Sequence, residues 1–228
     1  MKAVILAAGE GIRMRPLTLE NPKPLLSVGG FPLLHRLVNQ FPEKIEEIII
    51  VIGYLGEKIQ KYCGEEFLGR RVSYVWQKEK RGTYDALERA RHLLNDEPFA
   101  LFFADDILDR ETIRELLQHP LAAVITEVPD PRPFGVIILN LDDTIAEIDE
   151  KPAAPKSHSV LTTAYALTPH IFNYAPSPRP NGEVYLADAL NEMAKEHTIR
   201  AIRAKTWFPI GTPADIERAE VALKELGD

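Results

Sequence analysis

Residues 6–18 read Leu6-Ala7-Ala8-Gly9-Glu10-Gly11-Ile12-Arg13-Met14-Arg15-Pro16-Leu17-Thr18, and Asn21-Pro22-Lys23-Pro24-Leu25-Leu26 follows shortly after. The apolar run at 3–6 has the length and composition of a buried strand, and the two glycines just beyond it let backbone N–H groups approach an anion with no Cβ in the way. This is neither of the two common phosphate loops. The Walker pattern needs a Gly-Lys-Ser/Thr ending, and in the dinucleotide fingerprint a third glycine stands where Met14 is found. Pro16, Pro22 and Pro24 also rule out an uninterrupted helix after the loop. Arg13 offers a planar fork and Lys23 a point cation beside bare amides, a combination suited to a polyphosphate. A plain tight turn flanked by two solvated cations is the alternative reading of the same residues.

Outward from this stretch, short apolar runs recur at 48–52, 72–76, 99–103 and 122–125, each bounded by Gly, Pro or charge. Between them apolar residues fall at helical spacing: Leu33, Leu34, Leu37, Val38 and Phe41; then Ala86, Leu87, Ala90, Leu93 and Leu94; then Ile113, Leu116 and Leu117. Strand alternating with helix predicts an α/β fold whose mostly parallel sheet is covered on both faces. After about residue 128 proline-punctuated segments predict loops and added strands. Helical spacing returns at 184–195 and at 214–226, the latter opened by Thr212 as N-cap and Pro213 at the first helical position. No internal repeat is present, and a single domain over 1–228 is expected, its first half, to about 128, a platform of nucleotide size and its second half a cover.

The 228 residues carry 27 basic and 34 acidic side chains, a formal net charge of −7, which removes the electrostatic term behind bulk nucleic-acid binding. The apolar start is broken by Gly9, Glu10 and Arg13, too short for a membrane span and without a secretory cleavage pattern, so a cytoplasmic protein is expected. The single cysteine, Cys63, cannot form an intrachain disulfide and reads as a helix end. His35, His92, His119, His158, His170 and His197 show no metal-ligand spacing and are taken as structural or surface residues.

The series Gly9-x-Gly11-x-Arg13-x-x-Pro16-Leu17-Thr18 with Pro22-Lys23-Pro24 resembles the signature of the sugar-1-phosphate nucleotidylyltransferases. Matches continue in order through Gln77 to Gly82-Thr83, Ala104-Asp105-Asp106, Phe134-Gly135-Val136, Glu150-Lys151-Pro152, Gly182-Glu183 with Asp188, and Trp207 to Gly211-Thr212. The resemblance covers almost the whole chain and implies a Rossmann-like three-layer sandwich of the nucleotide-diphospho-sugar transferase type. It leaves no room for the left-handed helical or acyltransferase extension of some relatives, so a minimal catalytic domain is expected.

In such enzymes a sugar-1-phosphate oxygen attacks the α-phosphorus of a nucleoside triphosphate and pyrophosphate leaves. The resemblance implies that Gly9 to Arg13 hold the β- and γ-phosphates, that Lys23 bridges the α-phosphate and the sugar phosphate, and that Asp105, at the end of a parallel strand, holds Mg²⁺. Asp106 has capping of the next turn as its plainer reading. Gln77 and the Gly82 backbone would meet a pyrimidine edge, favouring UTP or dTTP, with help from Leu6, Ala7, Ala8 and Gly9. Thr83 is counted with Gly11 among the nucleotide-binding residues, with an N-cap as its plainer reading. In the second half, about 129–228, Gly135, Glu150, Lys151 and Tyr165 would bind the sugar phosphate.

Two positions depart from the family pattern. Leu161, Thr162 and Thr163 stand where relatives read Asn-x-Gly, and Pro209 replaces a second metal-binding aspartate. The first departure keeps open a cytidylyl or other nucleotidylyl transfer to a non-sugar phosphate such as a polyol phosphate or phosphocholine. The second keeps open a non-catalytic nucleotide-sugar sensor on the same fold. Triphosphate and sugar phosphate are the expected partners, and the sequence leaves the oligomeric state open.

Overall fold

The computed structural model describes residues 1–226. Its strands are β1 (Lys2–Ala7), β2 (Ser27–Val28), β3 (Phe31–Pro32), β4 (Glu47–Ile52), β5 (Glu66–Phe67), β6 (Arg70–Trp76), β7 (Phe99–Phe103), β8 (Asp106–Leu108), β9 (Ala122–Glu127), β10 (Gly135–Leu139), β11 (Ile145–Glu150), β12 (Ser159–Leu167), β13 (Arg200–Arg203) and β14 (Trp207–Pro209). Its α-helices are α1 (Leu33–Asn39), α2 (Gly56–Cys63), α3 (Gly82–Ala90), α4 (Arg110–Leu116), α5 (Leu186–Ala194) and α6 (Pro213–Leu226).

The central sheet runs β11-β10-β12-β7-β1-β4-β6-β5, with β9 and β13 attached through β12. Strands β7, β1, β4 and β6 are parallel, whereas β12, β10 and β11 pair antiparallel. From β1 the chain builds outward through β4 to β6, then returns through α3 to place β7 on the other flank of β1. Strand order therefore reverses beside β1. Ligands of open α/β sheets bind at such a switch point, outside the carboxyl ends of the strands. Leu6 stands level with Val51 on one side and Phe103 on the other, so those ends form one ledge.

The strand sequences follow from burial on two faces. In β4 the residues Ile48, Ile50 and Ile52 pack into one core layer and Ile49 and Val51 into the other, all at most 2% exposed. Complete burial of such a side chain contributes about 1.5–3 kcal/mol, which explains an unbroken apolar run in place of an alternating one. Helices α1, α2 and α4 cover the first face, and α3 and α5 the second. A third cluster gathers Met14, Ile107, Ile210 and Leu223, fixing α6 against the N-terminal loop and the β2–β3 hairpin. No helix among the described residues is long and apolar enough to cross a membrane.

Cys63 is, as read, the last residue of α2; it is buried, and burial pushes its thiol up to about 12. Helix α6 opens at Pro213, with Asp215 accepting from Thr212 N at 2.6 Å and Thr212 Oγ1 at 2.8 Å. Two capping expectations need correction. Arg81 is the N-cap of α3, and Thr83, already inside the helix, turns its Oγ1 to accept from Leu186 N at 2.9 Å, at the start of α5. The helix after Asp106 is capped by Asp109, whose Oδ1 accepts from Thr112 N at 2.9 Å, while Asp106 is a buried residue of β8.

Candidate active site

The loop leaving β1 and the turn leaving β7 meet at the switch point. The loop is folded by its own short bonds: Met14 N donates to Gly11 O at 2.8 Å and Thr18 Oγ1 to the same oxygen at 2.9 Å. These bonds, with the burial of Met14, leave Arg13 exposed and free of ion pairs among the described residues, over the cleft. Lys23 opens a short 3₁₀ turn and is only 9% exposed; its Nζ donates to Asp105 Oδ2 at 2.9 Å. A nearly buried ammonium aimed from one loop at a carboxylate on another is costly unless paired. The pair brings together two of the three residues expected to carry the chemistry.

On one side of this pair lies a cavity of about 460 Å³, lined by Leu6, Ala7, Ala8, Gly9 and Gly11 and, from the far wall, by Gln77, Gly82 and Thr83. Gln77 follows β6, and its Nε2 donates to Gly82 O at 3.0 Å and to Asp85 Oδ2 at 2.9 Å. Gly82 has φ +90, and a Cβ there would lie 2.2 Å from Val184 O. Only glycine permits that approach. Val184 N donates to Arg81 O at 2.8 Å and Tyr84 N to Val184 O at 3.1 Å, so the strap over 182–186 is sewn to the first turn of α3.

On the other side a cavity of about 440 Å³ is lined by Gly135, Glu150, Lys151 and Tyr165. Gly135 stands opposite Glu150 in the β10–β11 ladder, and a Cβ there would meet Glu150 Oε2 at 3.1 Å, so glycine makes room for the carboxylate. Burial raises the Glu150 carboxyl above its ordinary range, with Lys151 opposing. Lys151 holds φ +51, a left-handed conformation costing a non-glycine residue roughly 1–2 kcal/mol. Strain of this kind gathers where a side chain must be aimed. The conformation brings Lys151 Nζ to 3.3 Å from Glu150 Oε1 and 4.8 Å from the centre of the Tyr185 ring. Tyr165 lines the cavity, but its hydroxyl donates to Thr162 O at 2.7 Å and is already committed within the protein.

Arg13, Lys23, Asp105, Lys151 and Tyr185 line both cavities, which therefore form one cleft with the Lys23–Asp105 pair between its halves. The two departures from the family pattern also meet here. Thr163 Oγ1 donates to Asp106 Oδ2 at 3.1 Å, as does Trp207 Nε1 at 2.6 Å, and Pro209 is the register partner of Asp106 between β14 and β8. Burial, reinforced by the neighbouring Asp105, pushes the Asp106 carboxyl well above the usual carboxylate range.

No group of three or more His, Cys, Asp or Glu side chains among the described residues could hold a metal ion. What the site offers is Asp105, one oxygen of which takes Lys23 while Oδ1 has no hydrogen-bond partner. A single hard carboxylate oxygen at a phosphate site fits Mg²⁺, which keeps several waters and completes its shell with substrate phosphates.

Sequence reasoning missed four residues that line or brace the cleft. Asp85 and Arg89 were visible only as an i,i+4 pair on a helix. Arg179, which forks onto Asp188 at 2.6 and 2.9 Å and donates to Glu150 O at 3.0 Å, sits in a proline-rich segment with no periodicity to expose it. Tyr185 acts through contacts that only the fold creates. Of the histidines, His170 and His197 do meet, with ring centroids 5.4 Å apart, but as a stacked pair.

The family model for nucleotidyl transferases matches residues 2–225. The UTP--glucose-1-phosphate uridylyltransferase AglF of Haloferax volcanii is 34% identical over 99% of this chain and 97% of its own length. The bifunctional protein GlmU of Methanocaldococcus jannaschii is 32% identical over 98% of this chain but 54% of its own length, so the chain spans about half of that relative. A crystal structure of a UDP-glucose pyrophosphorylase complexed with UDP-glucose superimposes with a TM-score of 0.89 at 26% identity, covering 99% of this chain and 98% of the other. The fold expected from the motifs is the fold observed, and the chain belongs to the nucleotidyl transferase family.

Proposed function

We propose that this chain joins the nucleotidyl group of UTP or dTTP to a sugar-1-phosphate and releases pyrophosphate. The observation that carries the proposal is the single cleft in which Lys23 and Asp105 lie between a glycine-loop cavity and a cavity walled by Glu150 and Lys151. Two relatives whose names specify UTP with glucose-1-phosphate, or UDP-glucose, make uridylyl transfer to a hexose-1-phosphate the first case to test.

In this reading the first half of the chain, to about residue 128, supplies most of the triphosphate site and the second half most of the acceptor site. An oxygen of the acceptor phosphate forms a bond to the α-phosphorus while the bond from that phosphorus to the bridging oxygen breaks, and pyrophosphate carries away the electron pair. No protein nucleophile is needed. The protein brings two anions together and steadies the charge that accumulates between them. Lys23, anchored by Asp105, meets the α-phosphate and the incoming phosphate. Arg13, free of ion pairs among the described residues, meets the β- and γ-phosphates. Lys151 faces the acceptor phosphate, and Glu150 accepts from acceptor hydroxyls. Mg²⁺, held at Asp105, would neutralise triphosphate oxygens.

The test is pyrophosphate release from a matrix of UTP, dTTP, CTP, ATP and GTP against glucose-1-phosphate, another hexose-1-phosphate, a polyol phosphate and phosphocholine. Release with UTP or dTTP and a hexose-1-phosphate is expected. Release only with a non-sugar acceptor would replace the acceptor assignment. No release in any combination would leave the sensor reading.

A further inference from the structure

The first cavity contains a contact that the reaction does not require. Gln77 Nε2 donates to Gly82 O at 3.0 Å and to Asp85 Oδ2 at 2.9 Å, and both partners can only accept. The amino end of the amide must therefore face them, and Oε1 must turn away. No donor among the described residues meets Oε1, and Gln77 lines the cavity. Asp85 is itself fixed: its Oδ2 accepts from Arg89 Nε at 2.9 Å and its Oδ1 from Arg89 Nη2 at 3.3 Å. Burial pushes the Asp85 carboxyl up, but the bonds from Arg89 and Gln77 outweigh it and hold the group below the ordinary aspartate range. It is thus an anion at neutral pH and cannot donate.

We propose that the Asp85–Arg89 pair locks the Gln77 amide with its carbonyl towards the cleft, so that the base site selects a pyrimidine with an N3–H, uracil or thymine, against cytosine. The proposal rests on the reading of the cleft as a nucleotidyl transfer site. Uracil and thymine carry a donor at N3, which the Gln77 carbonyl accepts. Cytosine carries a lone pair at N3, which would face that carbonyl. Turning the amide to suit cytosine would press its oxygen against Gly82 O and the Asp85 carboxylate, exchanging one mismatch for two. A site built around a hydrogen bond rejects the analogue that cannot make it far better than an apolar pocket rejects a change of shape. On an ordinary helix surface an Asp–Arg pair four residues apart only adds slightly to helix stability. Here the third member of the chain, Gln77, comes from outside the helix.

Asp85 and Arg89 are positioning residues, so the readout must be one that a merely structural role would leave unmoved. Dissociation constants for UTP and for CTP, each with Mg²⁺ and without acceptor, are measured by titration calorimetry on the wild type, Asp85→Ala and Arg89→Ala. The wild type should prefer UTP by roughly 100-fold or more. In Asp85→Ala the ratio should shrink by about tenfold, the effect of losing one oriented hydrogen bond, through weaker UTP and tighter CTP. Arg89→Ala, at a more exposed position, should shift the ratio the same way by less, and it carries the test if Asp85→Ala does not fold. Equal weakening of both nucleotides in the variants, or a ratio unchanged within about twofold, overturns the proposal while leaving nucleotidyl transfer intact. A wild type that binds CTP as well as UTP overturns it outright. A wild type that binds neither, and releases no pyrophosphate in the matrix above, removes the functional reading on which the proposal stands.

Discussion

Replacing Gly82 by alanine should disturb stability and both substrate sites at once. The backbone there sits at φ +90, and the new Cβ would lie 2.2 Å from Val184 O and 2.8 Å from Val184 N. These are backbone atoms, so no rotamer change relieves the contact. Holding alanine in a left-handed conformation costs about 1–2 kcal/mol. Moving the strap away gives up the bonds from Val184 N to Arg81 O and from Tyr84 N to Val184 O, at about 1 kcal/mol each. A loss of about 3–4 kcal/mol follows, which for a chain of this size lowers Tm by roughly 10 °C. The displaced strap carries Tyr185, whose ring lies 4.8 Å from Lys151 Nζ and 5.4 Å from the Arg179 guanidinium. KM should therefore rise for both triphosphate and acceptor, while kcat, which the proposed mechanism assigns to Arg13, Lys23 and Asp105 on other loops, should change less. Urea denaturation and initial rates on the purified variant measure both effects. Gly9→Ala is the control, because a Cβ at Gly9 meets nothing within 4 Å and should leave Tm unchanged. If Gly82→Ala costs less than about 1 kcal/mol, or behaves like the control, the close approach does not hold the strap and the coupling of the two sites through it is wrong.

Arg13→Ala and Lys23→Ala should each fold and lose kcat by about 10²–10³, the usual effect of removing one preorganised charge from a developing anion; turnover near wild type in either would take that residue out of the mechanism. Glu150 should make acceptor binding sensitive to pH. Because burial raises its carboxyl, acidification protonates it at a higher pH than an ordinary glutamate, so acceptor KM should begin to rise above about pH 4.5, whereas Glu150→Gln should show none of that rise beyond the acceptor phosphate's own titration. Superimposable pH profiles for the two would exclude Glu150 from the acceptor site. Pro209→Asp sets a third acid beside Asp105 and Asp106. It should lower the half-saturating Mg²⁺ concentration about tenfold and also lower Tm in metal-free buffer; a Mg²⁺ requirement identical to wild type would place any second ligand elsewhere.

The parts of this fold that were legible are those whose burial is two-sided and whose function is local. Strands β1, β4 and β7 lie between two helical layers, so their sequences are apolar throughout and stand out from their surroundings. Strand β12 was not legible, although it joins β7 to the antiparallel flank of the sheet. It carries Thr162 and Thr163 in its middle, and its register shifts between Leu161 and Tyr165, which breaks the pattern a strand is recognised by. The same contrast holds in the site. Asp105 sits on the short turn straight after β7, and Arg13 and Lys23 sit on the long loop between β1 and β2, which its glycines and prolines mark in the sequence. Arg179 and Tyr185 gain their roles from pairings with Glu150 and Lys151, nearly thirty or more residues away in the chain. The plainer reading of Thr83 as an N-cap fails for this reason too: threonine at a helix start suggests local capping, and only the docking of α5 supplies the Leu186 N–H that takes the hydroxyl oxygen instead.

The two departures from the family pattern, 46 residues apart by number, are one feature in space. Thr163 donates to Asp106 from one side, and Pro209 stands opposite the same residue in the β14–β8 ladder. Trp207, two residues before Pro209, supplies the second donor to the same oxygen. Asp106 is thus a buried acid with two donors built around it, next to the Asp105 that is paired with Lys23. A carboxylate at position 209 would meet that acid across the ladder, and a buried acid tolerates a second negative neighbour only by keeping its proton. Proline at 209 and threonine at 163 are therefore mutually consistent: one removes a charge that Asp106 would repel, and the other adds a bond that Asp106 needs. The physical unit to compare among members of the family is the set of residues 106, 163, 207 and 209 together, because changing any one of them alters the charge that Asp105 and Lys23 experience between the two cavities.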